Sequence, residues 1–561
     1  MSLRFTTLAA SFLIALVSFS GTSRASETFD EVQKQIVSFK LDNGLTVILY
    51  KRGYAPVISC VTYVKAGSVD EWHGYTGIAH FLEHLAFKGT KKIGASNPDA
   101  ETPVLAEIDA LYERIQGAQK TYPPATQNAL QGLLAKLSTG GTDAAQAVDQ
   151  LFLKYDPENK IATADRDALK ANVVTWTAKA QSAEQFVKQN EFSDILGRAG
   201  GVGLNAFTSE DRTVYHVSLP SNRLELWAAL ETDRFMNFSP RQFEKEKQVV
   251  MEERRMRVES NASGRLYEKF MNTAFTQHFY GQPVIGWKTD ILNYTRPQVR
   301  KFFYDHYNPA NTIVCVVGDL DIEQAKKTLT DYFSKIPAVT VTDATPRAAE
   351  PKQDAERRTE ISFPAEPSLL IGYHIPERGH PDCAALNALS LIASRGRTSR
   401  LYANLVKKST ALNAGSWLGP GERFPRLFVL SAEPAEGVTL DQLETALLAE
   451  VDRLKKEPPS KEELQRAISQ NRVDTLSGLK SNLGMAQQLA DYQGIMGDWK
   501  ELFKEIDAIA AVTPEQVQNV ANKYLTKENR TVAKMVSSND GDQPTILGVP
   551  VAKPAGAEGS K

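Results

Sequence analysis

Two stretches of this chain, TRPQVRKFFYDHYNPANTIV from Thr295 and TPEQVQNVANKYLTKENRTVAKMV from Thr513, place Thr, Gln-Val, Tyr and Asn-Thr in nearly the same order. Each runs from a helix-like pattern into an apolar strand-like run, which reads as one supersecondary unit used twice. The expected architecture is therefore α+β, with two homologous domains that each carry a mostly antiparallel sheet and packed helices. A length of 561 residues suits this, being too long for one ordinary domain. Hydrophobic residues at 42% and charged residues at 24% are those of a globular protein, and a net charge of −2 offers no attraction for a nucleic-acid backbone. Three cysteines are too few and too scattered for a disulfide framework or a cysteine-based metal cluster, and Cys60 and Cys315 lie in apolar runs that suit inert core positions.

The N-terminus carries Arg4, an apolar run from about Leu8 to Phe19 and the small-residue pattern Ser23-Arg24-Ala25, the three parts of a cleavable leader over residues 1–25. The apolar run is shorter than the roughly 20 residues needed to span a bilayer, so the mature form is expected to have no membrane segment and to be periplasmic or secreted. A first domain is expected over 26–338. It opens with strands around the Asn43-Gly44 turn and closes on the strand Thr312 to Asp319. Within it, residues 93–190 turn rich in Ala, Gln, Lys and Asp, with Leu105, Ile108, Leu111, Tyr112 and Ile115 at helical spacing. This predicts an insertion of three or four helices. Residues 339–359 have linker composition, a homologous domain follows over 360–540, and 541–561 reads as a disordered tail.

The chemistry is concentrated in His80-Phe81-Leu82-Glu83-His84. Ile78, Phe81, Leu82 and Leu85 recur at helical spacing, so this is an amphipathic helix whose two histidines, at i and i+4, project from one face and can share one ion. Glu83 lies on the adjacent part of that face, where a carboxylate can act as general base. A working zinc site wants three protein ligands and one open position. The helix FEKEKQVVMEERRMRVES offers Glu244, Glu246, Glu252 and Glu253 as the third donor, with Glu246 and Glu253 on one face; the pattern shortlists these without choosing.

GIAHFLEHLAFKGT, GGVGLNAFTSEDRTVYHVSL and EKEKQVVMEERRM, in that order, resemble the successive motifs of the pitrilysin/insulinase family of zinc peptidases, the group with the inverted H-x-x-E-H motif. The resemblance covers most of the chain after the leader. It implies one Zn2+ per chain held by His80, His84 and Glu253, with Glu246 supporting from behind, Glu83 as catalytic base and Glu252 pointing away. It also implies that Asn205 and Ala206 lie on an edge strand where a peptide substrate adds as a further strand. Phe207 is expected in the core.

The chain departs from the family in two places. The span from His84 to Glu253 is far longer than in most relatives, the surplus being the helical insertion, whose role stays open between capping the substrate chamber, binding a partner and decorating the domain. Family members or their partner subunits also carry an Arg and a Tyr seven apart in the second domain, and the corresponding positions here are Val406 and Asn413. Arg395 and Tyr402 share the spacing but fall out of register. The resemblance thus implies the metal-bearing subunit of a zinc endopeptidase that acts on peptides or unfolded polypeptide in a cavity between its two domains, with a homologous metal-free partner subunit or a second copy of the chain. The alternative is a non-catalytic scaffold, or a peptide- or metal-binding subunit of the same fold.

Overall fold

The computed structural model describes residues 23–538 apart from 54, 139, 141 and 340–347, and the two pairs 545–546 and 549–550. The expected leader and tail lie outside the described residues, save for 23–25 and those two pairs.

In the first half, helix α1 (Ser23–Gln35) leads into strands β1 (Ile36–Lys40), β2 (Thr46–Lys51) and β3 (Val57–Val64), and then helix α2 (Ile78–Ala86). Four helices occupy the insertion: α3 (Pro98–Gln119), α4 (Pro124–Leu137), α5 (Ala144–Tyr155) and α6 (Thr163–Ala183). They close around their own core of Ile108, Leu130, Val148 and Trp176, which explains why the insertion reads as helical although it adds nothing to the sheet. Helix α7 (Glu191–Arg198) returns the chain to strands β4 (Val202–Thr208) and β5 (Thr213–Pro220). Helices α8 (Leu224–Met236), α9 (Phe243–Arg254), α10 (Ala262–Ala274), α11 (Lys288–Asn293) and α12 (Arg296–His306) follow, then strand β6 (Thr312–Gly318) and helix α13 (Ile322–Phe333).

The second half comprises β7 (Arg357–Phe363), β8 (Ser368–Ile375), α14 (Cys383–Ser394), β9 (Ala411–Gly419) and β10 (Arg426–Pro434). Helices α15 (Leu440–Lys456), α16 (Lys461–Gly478), α17 (Asn482–Met496), α18 (Glu501–Ala510) and α19 (Pro514–Tyr524) precede the last strand of its sheet, β11 (Arg530–Ser537). Strand β7 begins inside the segment expected to be linker, so the linker stops short of 359. Arg358, Glu360 and Ser362 alternate on the exposed face of an edge strand and disguise it as a polar connection.

The duplication is visible in the sheets. The first has the order β1-β2-β6-β3-β5-β4 and the second β7-β11-β8-β10-β9, each with one parallel pair (β2 with β6, β7 with β11) and antiparallel pairing elsewhere. The two near-repeats sit at equivalent places: Thr295 and Thr513 each cap a helix through a reciprocal bond with Gln298 or Gln516, and β6 or β11 follows.

The halves exchange helices. Leu266, Phe270 and Met271 of α10 pack on Leu370, Val429 and Met535 of the second sheet, while Met485, Ala486 and Leu489 of α17 pack on Val61, Ile313 and Cys315 of the first. Glycine permits both contacts. A Cβ on Gly372 would lie 2.5 Å from the Phe270 ring, and one on Gly494 would lie 2.3 Å from the Tyr63 ring.

Candidate metal centre and substrate cleft

Helix α2 is fixed from both sides. At its start, the buried Glu71 carboxylate accepts hydrogen bonds from the Gly77 and Ala79 amides at 2.7 and 2.9 Å, satisfying donors that a helix N-terminus leaves open. Along its inner face Ile78, Phe81, Leu82 and Leu85 are fully buried, each contributing about 1.5–3 kcal/mol. The Phe81 ring meets Phe243, the first residue of α9, edge-on at 5.1 Å, and Tyr294 at 5.2 Å. That packing sets α9 beside α2 and brings its carboxylates to the histidines.

His80, His84 and Glu253 offer ligand atoms that all lie within 4.8 Å of one another. One Glu253 oxygen stands 3.3 Å from His84 Nε2 and 3.7 Å from His80 Nε2. Donors bonded at roughly 2.0 Å to one tetrahedral ion sit about 3.3 Å apart, so the three residues fit a zinc ion. Behind them Glu246 contacts His84 Nδ1 at 3.4 Å and is itself held by Lys88 at 2.6 Å, while Arg257 takes the other Glu253 oxygen at 3.0 Å. The other shortlisted carboxylates are engaged elsewhere: Glu244 pairs with buried Lys247, and Glu252 pairs with Arg255 at the surface. Glu253 stands one residue before the end of α9, where the backbone widens into a π-helical turn, Arg255–Glu259, a feature common at functional sites.

Protonation follows from these contacts. Burial, aided by the neighbouring His84, drives the His80 imidazole down to about 4, leaving it neutral with a lone pair for a cation. Burial would lower His84 too, but Glu246 and Glu253 outweigh it and hold the ring at about 9, so this ligand gives up a proton when a metal ion replaces it. The His84 hydrogen bond keeps Glu253 below the usual carboxylate range. For Glu246, burial pushes upward and is outweighed by His84 and Lys88.

Glu83 points to the same cleft. Its carboxylate accepts a 2.6 Å hydrogen bond from Thr208, and burial raises its affinity for a proton against that bond. Thr208 went unrecognised in the sequence; the signal was available, since it stands two residues from Ala206 and so on the same face of the strand. The structure puts Asn205 and Ala206 on β4, the edge strand, with Asn205 exposed and Ala206 buried. Phe207 is 38% exposed and lines the cleft, contrary to the expectation that it belongs to the core: it alternates with Ala206, which takes the inward position.

The cleft has a volume of about 940 Å³ and joins His80, Glu83 and His84 to Asn205, Phe207, Val249, Met256 and Arg257. All its lining residues belong to the first half. Val406 packs against the core of the second half, and Asn413 donates to Glu433 at 2.6 Å. Arg395 is ion-paired with Asp474 of α16, and Tyr402 opens a π-helical turn.

Residues 46–101 and 181–288 match the family described as "Insulinase (Peptidase family M16)", and 293–471 match "Peptidase M16 inactive domain". The chain is 32% identical over 362 residues to the zinc protease PqqE of Helicobacter pylori, an alignment covering 62% of this chain and 78% of that protein. The chain belongs to the M16 peptidase family. The interruption of the family match between 101 and 181 coincides with most of helices α3–α6, so the insertion stands outside the shared pattern. This M16 chain is also 25% identical over 518 residues to an uncharacterized zinc protease of Rickettsia bellii, covering 90% of this chain and 96% of that one. Its fold superposes on the crystal structure of a protease from Helicobacter pylori with a TM-score of 0.69 and 25% identity, covering 89% of this chain and 99% of that one.

Proposed function

We propose that this chain is a zinc-dependent endopeptidase that hydrolyses peptides or unfolded polypeptide segments. The observation that carries the reading is the convergence of two imidazoles, one carboxylate and a separate buried carboxylate on one cleft beside an unpaired sheet edge. His80, His84 and Glu253 would hold the ion. When bound, zinc supplies Lewis acidity toward a carbonyl oxygen and makes a water more acidic. A peptide laid along β4 would be held by main-chain hydrogen bonds, with apolar side chains against Phe207, Val249 and Met256. Glu83 takes a proton from the attacking water and returns it to the leaving nitrogen, so that one C–O bond forms as the C–N bond breaks.

Two features favour a second subunit. Among the described residues the cleft gains no wall from the second half, and Val406 and Asn413 stand where the family resemblance expects the Arg and Tyr. The reading therefore includes a homologous metal-free partner, or a second copy of the chain, that closes the cavity and supplies that pair. The reading also includes a leader over residues 1–25, cleaved after Ala25, and with it a periplasmic or secreted location.

The test is metal titration of chelator-stripped protein combined with hydrolysis of an unfolded polypeptide, with and without the partner. One zinc per chain and hydrolysis that returns with zinc are expected. Failure to bind zinc would remove the reading, whereas full-rate hydrolysis by the chain alone would remove only the partner. Within the same measurements, Glu246→Gln should weaken zinc binding about 10–100-fold, read by chelator competition, because the charged acceptor that orients His84 becomes a weaker neutral one and Lys88 loses its counter-charge.

A further inference from the structure

One turn of the second half meets the two segments that carry the chemistry of the cleft. The turn between β9 and β10, residues 420–425, lies against the turn between β4 and β5, residues 209–212, and against the loop Gly67–Asp70 that leads toward α2. The buried Asp211 carboxylate accepts hydrogen bonds from the Glu422 and Arg423 amides at 2.6 and 3.2 Å through one oxygen, and from the Tyr280 hydroxyl at 2.7 Å through the other. The Arg423 side chain continues across to the buried Asp70, 3.0 Å away, whose carboxylate also takes the Gly67 amide at 3.0 Å. The loop is bonded in turn to the β4–β5 connection: the Ser68 amide donates to the Ser209 carbonyl at 3.1 Å and the Val69 amide to the Glu210 carbonyl at 2.9 Å. Glycine makes these approaches possible. A Cβ on Gly67 would collide with the Ser209 and Glu210 carbonyls, and one on Gly421 with the Tyr280 hydroxyl and Asp211.

Both held segments end on catalytic groups. Thr208, which donates to Glu83, is the last residue of β4 before its turn, and Asp70 is followed by Glu71, whose carboxylate caps the first turn of α2. The apolar contacts of α10 and α17 already join the halves, so a polar junction that is costly to desolvate adds geometry rather than adhesion.

We propose that Asp211 and Arg423 are positioning residues: through them the second half sets β4 and α2 relative to each other and so fixes the place of Glu83. The proposal rests on the peptidase reading above and adds to it what the second half contributes to the reaction.

The test uses the zinc-loaded chain, with its partner if one is required, and an unfolded polypeptide substrate. Arg423→Met keeps the aliphatic stem and the backbone bonds of the turn but removes the tie to Asp70. It should lower kcat about tenfold or more while KM changes less than about threefold, because proton transfer needs close placement of Glu83 whereas β4 keeps its free edge. Zinc stoichiometry should stay at that of the wild type, and Arg423→Lys, which can still reach Asp70, should recover most of the loss. Asp211→Asn, which can turn its oxygen to the two backbone donors and its nitrogen to the Tyr280 hydroxyl, should lose less than Asp211→Ala. Amide exchange reads the junction without activity: Ser68 and Val69 should exchange about tenfold or more faster in Arg423→Met than in the wild type. Wild-type kcat in Arg423→Met, a loss that Arg423→Lys does not recover, zinc lost alongside turnover, or unchanged exchange at Ser68 and Val69 would each overturn the positioning role and leave the peptidase reading in place. A wild-type chain that cleaves nothing would overturn the peptidase reading instead, and faster exchange in Arg423→Met would still establish that this turn sets the two segments.

Discussion

Replacing Glu83 by Gln is expected to lower kcat/KM by about 10²–10⁴-fold while zinc content stays at that of the wild type. The amide has nearly the carboxylate's shape and can still accept the Thr208 hydrogen bond, so the cleft keeps its form. His80, His84 and Glu253 are untouched, and Glu83 has no place in their cluster. What disappears is the capacity to accept a proton at that position. Rates and metal content measured on one preparation separate the two roles: wild-type turnover by Glu83→Gln would show that another group is the base, and loss of zinc together with turnover would make Glu83 part of the ion's cage.

The largest stability effect is expected at Arg241. Its guanidinium is 1% exposed and bonds Glu101 with two nitrogens at 2.6 Å each. Its remaining protons go to the carbonyls of Lys88, Ile93 and Thr90, each at 3.1 Å. This one side chain therefore ties the turn that leaves α2 to the first turn of α3, joining the metal-bearing helix to the insertion. Arg241→Met fills similar space but leaves Glu101 buried without a cation and takes the donors from the Lys88 and Thr90 carbonyls, while Ile93 keeps only the Thr90 amide, and should cost about 3–5 kcal/mol in denaturant unfolding. Adding Glu101→Leu should recover much of that loss, because a buried pair replaced whole by apolar groups is close to neutral. A loss below 1 kcal/mol for the single substitution would mean that water reaches the site.

The helix α2 was legible because its signal is local: four apolar residues on one face and two histidines on the other need only the helical period. The third ligand was legible only as a shortlist. Glu244, Glu246, Glu252 and Glu253 crowd two adjacent turns, and the packing of Phe81 on Phe243, together with the pairings to Lys247 and Arg255, sorts them. That sorting depends on contacts between distant segments, which local periodicity does not encode. The same holds for Glu71 on the α2 amides and Thr208 on Glu83. Edge strands were the weak point of the fold reading. The start of β7 has linker composition, β9 carries no strand signal in the sequence, and Phe207 on β4 has the residue type of a core position, because an edge strand has one solvated side and its alternation is broken by function or by charge.

The crossed placement of α10 and α17 bears on how this chain can change over evolutionary time. The second half does not repeat the chemistry of the first: α14, the counterpart of α2, carries neither histidine nor glutamate. It has not been free to leave. Deleting it would strip the cover from the face of the first sheet formed by Val61, Ile313 and Cys315, and would strand Phe270 in water. The half without the H-x-x-E-H motif thus serves as a lining for its sister, and each half covers apolar surface that the other would otherwise expose.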